Sequence, residues 1–399
     1  MPAGPLKNRL YRLALPAFGL MIKGSNATNA LMDKQQLNVL TSIFCRHHVI
    51  GGCLQLIHQG KLGPLVTYGY SRLPNDMVQP DTVFRAASIT KMVTAVGAMM
   101  LVEKNVLDLE APIDQYLPYP VRNPRFPNQP ILVKHLFYHT SGIWDGPLYD
   151  NALHSQVSLK TLLNNPMNYL SNPPGSKLRY SNLAAGIIGS LIEIVTNSSL
   201  ESYMQESVFL PNQMNASYTL QHFVNSSIVA CIYRVLALQN KKNAQYDPIK
   251  KRISADALNN PVPEYHYLPA AGNLFTDAVS LGKLVCMLIN QESLLSSTSV
   301  QKMQTPASMY GKNAPHAQHC IGLVALDDPS LQTGRLYGHQ GFAYGAAEGI
   351  FFQPSTGNGF VFLNSGASEA RQGHLACVNR DLILWALSKD GYLTKSQQL

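Results

Sequence analysis

The fold is indicated most clearly by residues 81–118, which read DTVFRAASITKMVTAVGAMMLVEKNVLDLEAPIDQYLP. A short β-like run ends at Ser88, where an apolar stretch with helical spacing begins. Ser88 and Lys91 are three positions apart, so they share one face of that helix. A lysine beside a serine hydroxyl can accept its proton once desolvation has lowered the lysine pKa. Because a helix N-terminus also stabilises developing negative charge, the stretch predicts a nucleophile at Ser88.

The pattern Ser-x-x-Lys is not specific by itself, because the chain contains it three times. Ser280 and Lys283 lie in the middle of a helical stretch, where a serine hydrogen-bonds within its own helix. Ser299 and Lys302 lie in a polar segment that is typical of a helix cap. Ser88 stands at the junction between a β-like run and an apolar helix, so we assign the nucleophile to it.

Strand-like runs at both ends of the chain enclose a mainly helical middle. Gln35–His48 has helical spacing, and two β-rich runs follow it with a turn at Gly60–Gly63. Helical patterns extend from Ala87 to Asn290, and β-rich runs return after Gln318. Because strands and helices do not alternate, the pattern favours the α+β class. We expect an antiparallel sheet built from the N- and C-terminal parts, flanked by helices, with a large mainly helical insertion.

The N-terminal segment has the features of a leader. Basic residues precede an apolar run at residues 13–22, and small residues follow where a signal peptidase cleaves. The run is too short to cross a bilayer as a mature helix. We therefore predict a periplasmic or secreted protein, with a cytoplasmic location as the alternative because Pro16 and Lys23 disfavour export. The predicted divisions are a signal or leader segment 1–30, one catalytic domain 31–390 (sheet part 31–86 and 315–390, helical part 87–314) and a tail 391–399.

The composition excludes several classes of protein. The net charge of +8 is not concentrated in runs of Lys or Arg interleaved with aromatics, so nucleic-acid binding is not predicted. The charge favours anionic surroundings, and association with the cell envelope is one expectation. The chain has no H-E-x-x-H, phosphate loop, G-x-G-x-x-G or G-x-S-x-G motif, so we predict no metal, no cofactor and no α/β-hydrolase site. The six cysteines contain no C-x-x-C pair, and we expect buried thiols without disulfides.

Five segments, in their order along the chain, resemble the serine β-lactamase and penicillin-binding-protein family. This family includes class C β-lactamases, D-alanyl-D-alanine carboxypeptidases and related esterases. The likeness covers roughly Gln35 to Leu387, and it is poor from Met214 to Tyr267. The segments are residues 81–118, ILVKHLFYHTSGI (131–143), GSKLRYSNLAAGIIGSLIEIVTNSSLESYM (175–204), AAGNLFTDAVSLGKLV (270–285) and GRLYGHQGFAYGAAEGIFFQP (334–354).

The resemblance implies roles for the residues of these segments. Ser88 would attack the substrate carbonyl. Lys91 and Tyr180 would share the proton transfers, with Tyr180 as a phenolate stabilised by Lys91, and which of the two is the base stays open. Asn182 would form a hydrogen bond with the substrate's amide. His139, before Thr-Ser-Gly, is expected to be a hydrogen-bonded structural residue.

The third element of the family departs from the common pattern. Relatives with β-lactamase activity carry Lys-Thr-Gly there, whereas this chain has His339-Gln340-Gly341. The resemblance places the oxyanion hole at the backbone amides of Ser88 and Phe342 and uses Gly341 for close approach to the substrate. A histidine is mostly neutral above pH about 6.5, so we expect weak anchoring of a substrate carboxylate and stronger anchoring at lower pH.

These expectations together describe a serine hydrolase that forms an acyl-enzyme on Ser88. Its substrate would be a small molecule or a peptide with an ester or amide bond, as in the esterases or D-amino-acid peptidases of the family. β-Lactam hydrolysis is the alternative activity. A non-catalytic penicillin-binding or sensor protein is the alternative from another class. The oligomeric state is not predicted.

Overall fold

The computed structural model describes most of the chain. The predicted leader, residues 1–30, lies outside the described residues, as do residues 396–399 of the predicted tail. The described residues are 32–152, 157–223, 229–235, 260–312 and 314–395.

Helices and strands follow in the expected order: the long strands lie in the N- and C-terminal parts of the described chain, and most of the helices lie between them. The strands are β1 (Gly51–His58), β2 (Lys61–Arg72), β3 (Asp76–Met77), β4 (Phe84–Arg85), β5 (Ala216–Ser217), β6 (Phe275–Thr276), β7 (Ser308–Met309), β8 (Ala317–His319), β9 (Val324–Leu326), β10 (Leu336–Ala343), β11 (Ala346–Gln353), β12 (Asn358–Gly366), β13 (Arg371–Gln372) and β14 (Leu375–Ala376). The α-helices are α1 (Lys34–Arg46), α2 (Ile89–Glu103), α3 (Val133–Phe137), α4 (Pro147–Ala152), α5 (Leu159–Leu163), α6 (Asn182–Thr196), α7 (Leu200–Met204), α8 (Pro269–Gly272), α9 (Ala278–Asn290), α10 (Ser297–Gln304), α11 (Cys377–Leu387) and α12 (Tyr392–Lys395).

Strands from the two ends of the chain combine into one nine-stranded antiparallel sheet. Its order is β3-β2-β1-β12-β11-β10-β9-β8-β7, so the N-terminal hairpin pairs directly with the C-terminal strands. β1 and β12 are buried along almost their whole length, because both faces of the sheet are covered. The architecture is the α+β arrangement predicted from the sequence.

Each face of the sheet carries its own hydrophobic core. On one face α1 packs through Leu40 and Phe44, and the Phe44 ring stacks on Phe362 with centroids 5.5 Å apart. On the other face lies the larger core with α2, whose residues are buried from Ile89 to Met99. A helix that is apolar on all sides belongs at the centre of a domain, and this position holds Ser88 at the boundary between sheet and helices.

The C-terminal boundary differs from the prediction. Tyr392–Lys395, which we placed in a tail, forms α12. Leu393 is buried, and Tyr392 stacks on Trp385 with ring centroids 5.2 Å apart. These apolar contacts attach residues 392–395 to the domain.

Two further expectations concern cysteines and membranes. All six cysteines are free: Cys53 and Cys320 are buried as expected, whereas Cys45 is exposed. Within the described residues no single helix has the length and apolarity to cross a membrane, and only Asn182–Thr196 together with Leu200–Phe209, bent by 81°, would qualify as a pair.

Candidate active site

A strained turn presents Ser88. β4 pairs with β6, and the chain then turns at Ala87, whose φ of 43° lies in the left-handed region that costs energy for a residue with a Cβ. The Thr90 hydroxyl donates to the Ala87 carbonyl at 2.5 Å and accepts from the Leu274 amide at 3.1 Å. Ser88 follows as the N-cap of α2 and is partly exposed. The serine thus stands at the helix start that the sequence predicts.

Lys91 is 6% exposed and has three polar neighbours around its Nζ. Nζ donates to Asn182 Oδ1 at 2.8 Å and to the Ala271 carbonyl, and it lies 3.3 Å from Ser88 Oγ. Two of these neighbours are carbonyl oxygens, which only accept. A neutral amine would use its two N–H groups on them and direct its lone pair at Ser88. This is the geometry of a general base.

The electrostatics of the site favour that neutral amine. Burial lowers the pKa of Lys91 to about 7, since desolvation disfavours the ammonium form. Asp145 opposes this shift and Arg85 adds to it. Lys91 therefore exchanges its proton near neutral pH, as a general base must.

Asn182 is held by a carboxylate that the sequence reasoning did not single out. Asp145 accepts from Asn182 Nδ2 at 2.9 Å, which turns Oδ1 of the same amide towards Lys91. Asp145 also accepts from the Ser181 hydroxyl and from the backbone amides of Asn182 and Leu183, at 2.9–3.0 Å. It therefore caps the start of α6 and orients Asn182. In the free protein Asn182 positions Lys91. From the sequence we predicted only its contact with the substrate.

Tyr180 lies against the same amine. Lys91 Nζ is 5.0 Å from the centre of the Tyr180 ring. The buried Tyr180 hydroxyl faces Ser88 without a hydrogen bond of normal geometry. Burial raises the pKa of Tyr180 far above its ordinary value, although the interaction with Ser88 opposes the shift. This direction disfavours the phenolate that we expect from the resemblance, because an apolar environment stabilises the neutral phenol.

The third element lies on β10, beside the nucleophile. A Cβ built on Gly341 would lie 2.8 Å from the Ala86 carbonyl and 3.2 Å from the Ala87 Cβ. Because Gly341 has no side chain, β10 can lie close to Ala86 and Ala87, the two residues that precede Ser88. From the sequence we had assigned to Gly341 only a close approach to the substrate. The next residue, Phe342, is partly exposed and belongs to the same strand, so its amide lies near the turn.

His339 precedes Gly341 by two positions and lies on the same face of β10. It is 5% exposed, and its Nδ1 lies 2.8 Å from the Gln340 carbonyl. Burial lowers the pKa of His339 to about 3, and the charge of Lys91 adds to the effect. We expected His339 to become charged below about pH 6.5. This expectation is wrong, because the lowered pKa keeps the ring neutral at the usual assay pH.

His139 and His319 pack beside Tyr180 and His339. His139 accepts from the Ser181 amide at 3.2 Å and contacts Tyr180, so it has the structural role we expect. His319 packs on His139 and is hydrogen-bonded to the Tyr310 hydroxyl at 2.8 Å. Burial lowers the pKa of both histidines. Despite these histidines, no group of three or more His, Cys, Asp or Glu side chains among the described residues is arranged to hold a metal ion.

The other two Ser-x-x-Lys pairs have structural partners. Ser280 Oγ accepts from the Asn215 amide at 2.8 Å, while Lys283 Nζ donates to the Gln213 carbonyl at 2.6 Å. Ser299 lies in the first turn of α10, where its amide donates to the N-cap Ser296. These contacts hold loops and helix ends.

A comparison with known families agrees with this geometry. The family model described as Beta-lactamase matches residues 27–377, which is most of the chain. This chain belongs to the beta-lactamase family. Penicillin-binding protein 4* of Bacillus subtilis (strain 168) is 26% identical over 190 residues, which are 46% of this chain and 41% of that protein. The chain thus matches less than half of the length of this curated relative.

Solved structures of similar fold cover more of the chain. The octameric penicillin-binding protein homologue from Pyrococcus abyssi has a TM-score of 0.71 at 22% identity, over 92% of this chain and 81% of its own. EstCE1, a hydrolase with promiscuous acyltransferase activity, has a TM-score of 0.70 at 20% identity, over 88% and 98%. D-amino acid amidase from Ochrobactrum anthropi SV3 has a TM-score of 0.67 at 20% identity, over 88% and 97%. These likenesses establish the beta-lactamase-family fold.

Within this beta-lactamase-family site, sequence reasoning missed three contributors. Asp145 lies in a loop, three positions after the end of HTSG, and no local motif marked it. Ala271 acts through its backbone carbonyl, which a side-chain pattern cannot reveal. Glu348 is a charged residue in the apolar strand β11, directly opposite Gly341 of the third element, and that anomaly was visible in the sequence.

Proposed function

We propose that this chain is a serine hydrolase that cleaves ester or amide bonds of small-molecule or peptide substrates through an acyl-enzyme on Ser88. The observation that carries the proposal is the placement of Lys91 Nζ, 3.3 Å from Ser88 Oγ, with carbonyl partners for its N–H groups. Membership of the beta-lactamase family supports the same chemistry. Export from the cytoplasm stays a prediction.

Acylation would proceed in two linked transfers. Ser88 Oγ attacks the carbonyl carbon while its proton passes to Lys91 Nζ, and the amides of Ser88 and Phe342 stabilise the oxyanion. When the tetrahedral intermediate collapses, the bond to the leaving group breaks and that group receives a proton. We assign this delivery to the neutral hydroxyl of Tyr180, which Lys91 then reprotonates. Water attacks the acyl-enzyme by the reverse sequence and releases the acid.

β-Lactam hydrolysis is the second candidate activity, and the surroundings of His339 disfavour it. A β-lactam carries a carboxylate, and the neutral His339 supplies no cation in the position where relatives have lysine. Arg371 is a cation close to this site, since its guanidinium lies 3.6 Å from the centre of the Phe342 ring, but Glu369 already supplies it with a negative counter-charge. The geometry therefore favours neutral esters and amides.

Steady-state turnover distinguishes an enzyme from a binding protein. We expect 4-nitrophenyl acetate to be hydrolysed over many turnovers by the wild type and not by Ser88→Ala. A non-catalytic penicillin-binding or sensor protein would release one equivalent of 4-nitrophenol and stop. Such a single burst, or equal turnover by Ser88→Ala, would contradict the proposal.

A further inference from the structure

The hydrogen bond of His339 determines which ring nitrogen carries the proton. Nδ1 lies 2.8 Å from the Gln340 carbonyl oxygen, which has no proton to give. Nδ1 must therefore be the N–H donor of this pair. In a neutral imidazole the other nitrogen, Nε2, then carries the lone pair and can only accept.

Nε2 of His339 is buried and has no hydrogen-bond partner among the described residues. The ring lies within the site, since its centroid is 6.4 Å from Tyr180 and 6.5 Å from His319. A buried acceptor without a donor is costly, so each such atom in a native protein calls for an explanation, of which a role in ligand binding is one. The missing partner is a hydrogen-bond donor.

Protonation of the ring would not resolve this deficit. Lys91 and His374 both disfavour a positive charge on His339, and burial is the largest effect in the same direction. The ring therefore meets its ligand as a neutral acceptor. A carboxylate, which also only accepts, would face the Nε2 lone pair without any proton between them.

We propose that His339 Nε2 accepts a hydrogen bond from the substrate, so that this site selects acyl groups that carry a hydroxyl or N–H donor near the scissile carbonyl. The inference rests on the proposed function and names the substrate class for it. It reverses the polarity of the third element, because a lysine there donates and prefers a carboxylate. Discrimination is expected to be large, since a site built for one polar group leaves that group unpaired with the wrong substrate.

Matched esters test the proposal directly. The 4-nitrophenyl esters of 2- and 3-hydroxybutanoic acid are compared with the corresponding methoxy esters, which keep the oxygen and lose the donor. At one of the two positions the wild type should show kcat/KM roughly ten- to hundred-fold higher for the hydroxyl ester. His339→Lys, which only donates, should abolish that preference and raise kcat/KM for mono-4-nitrophenyl succinate. His316→Lys, at an exposed histidine, is the control for added charge and should retain the wild-type preference.

Absence of a hydroxyl preference at every position would overturn the inference, as would a preference that His339→Lys leaves intact. Unsubstituted 4-nitrophenyl butanoate separates this failure from failure of the proposed function, because it depends on Ser88 and not on a donor. A second readout needs no activity. Nitrogen-15 NMR of the histidine side chains, assigned with His339→Gln, should show His339 neutral with the proton on Nδ1 from pH 5 to 8, and an Nε2–H tautomer or an imidazolium would refute the inference.

Discussion

The two walls of the active site differ in how completely their polar groups are paired. Around Lys91, the amine and the groups that hold it are paired: Asp145 holds Asn182, Asn182 and Ala271 hold the amine, and the amine faces Ser88. The Tyr180 hydroxyl beside them lacks a hydrogen bond of normal geometry. A network that is already satisfied does not need to reorganise when substrate binds. This wall is built for the chemistry that all substrates share.

The wall formed by β10 and β11 leaves polar atoms unpaired. His339 Nε2 is buried without a hydrogen-bond partner among the described residues. The Glu348 carboxyl is buried near the Asn364 backbone but has no hydrogen bond of normal geometry. Glu348 is opposite Gly341 in the ladder, and a Cβ on that glycine would lie 2.7 Å from its Oε2. We therefore propose that the wall around Lys91 performs the reaction and that the wall formed by β10 and β11 distinguishes substrates.

The largest effects should come from the wall around Lys91. Lys91→Ala and Tyr180→Phe should each lower kcat by about 10²–10⁴-fold, the usual contribution of general acid–base catalysis. Because both residues serve one proton path, the double variant should lose less than the product of the two. The measurement is kcat for an alkyl ester such as ethyl butanoate, whose alkoxide leaving group needs a proton, with Lys283→Ala as a lysine variant outside the site. A fully multiplicative loss would show that the two residues act in separate steps.

A smaller loss is expected when the support of the amine is weakened. Asp145→Asn keeps the shape of the side chain but removes the charge, and about 10–100-fold in kcat/KM should be lost with it. Asp145 raises the pKa of Lys91, so its removal should also move the acidic limb of the pH profile to lower pH. A merely structural role would change the rate without moving that limb. Asp76→Asn, at an exposed position, is the matched control.

The pH profile of the wild type distinguishes the two walls. Lys91 must be neutral to accept a proton, and its pKa is lowered to about 7, so kcat/KM for a neutral ester should rise to a plateau through pH 7. His339, with a pKa lowered to about 3, should add no inflection between pH 5 and 8. The comparison requires one ester and one carboxylate substrate over that range. A gain for the carboxylate substrate alone below pH 6.5 would mean that His339 becomes charged.

The smallest effect concerns the stability of the unpaired wall. Burial raises the pKa of Glu348 well above its ordinary value, so the folded state holds this proton more tightly than the unfolded state does. Its stabilising contribution is present below the unfolded pKa of about 4.3 and is lost as pH rises towards the folded pKa. Glu348→Gln should therefore gain in Tm relative to wild type between pH 5 and 8. Glu292→Gln, at an exposed position, should not, and an unchanged difference across that range would contradict a protonated Glu348.

The sequence predicted the parts of this site that depend on local spacing. Ser88 and Lys91 follow from helix geometry, and the pairing of N- and C-terminal strands follows from the order of β-rich runs. Asp145 and Ala271 lie 54 and 180 positions beyond Lys91 in the chain, and only the fold brings them to the site. No short sequence pattern can report such contacts. The polarity of His339 depends on a single carbonyl and on burial, and the sequence shows only the residue type.

Trapping the acyl-enzyme shows directly whether Ser88 is the nucleophile. Wild-type protein mixed with a 4-nitrophenyl ester is quenched in acid within milliseconds, digested and analysed by mass spectrometry for the added acyl mass. We expect the acyl group on Ser88, no acyl group in Ser88→Ala, and an unchanged adduct in Ser280→Ala and Ser299→Ala. Acylation at another residue, or an adduct that persists in Ser88→Ala, would show that Ser88 is not the nucleophile.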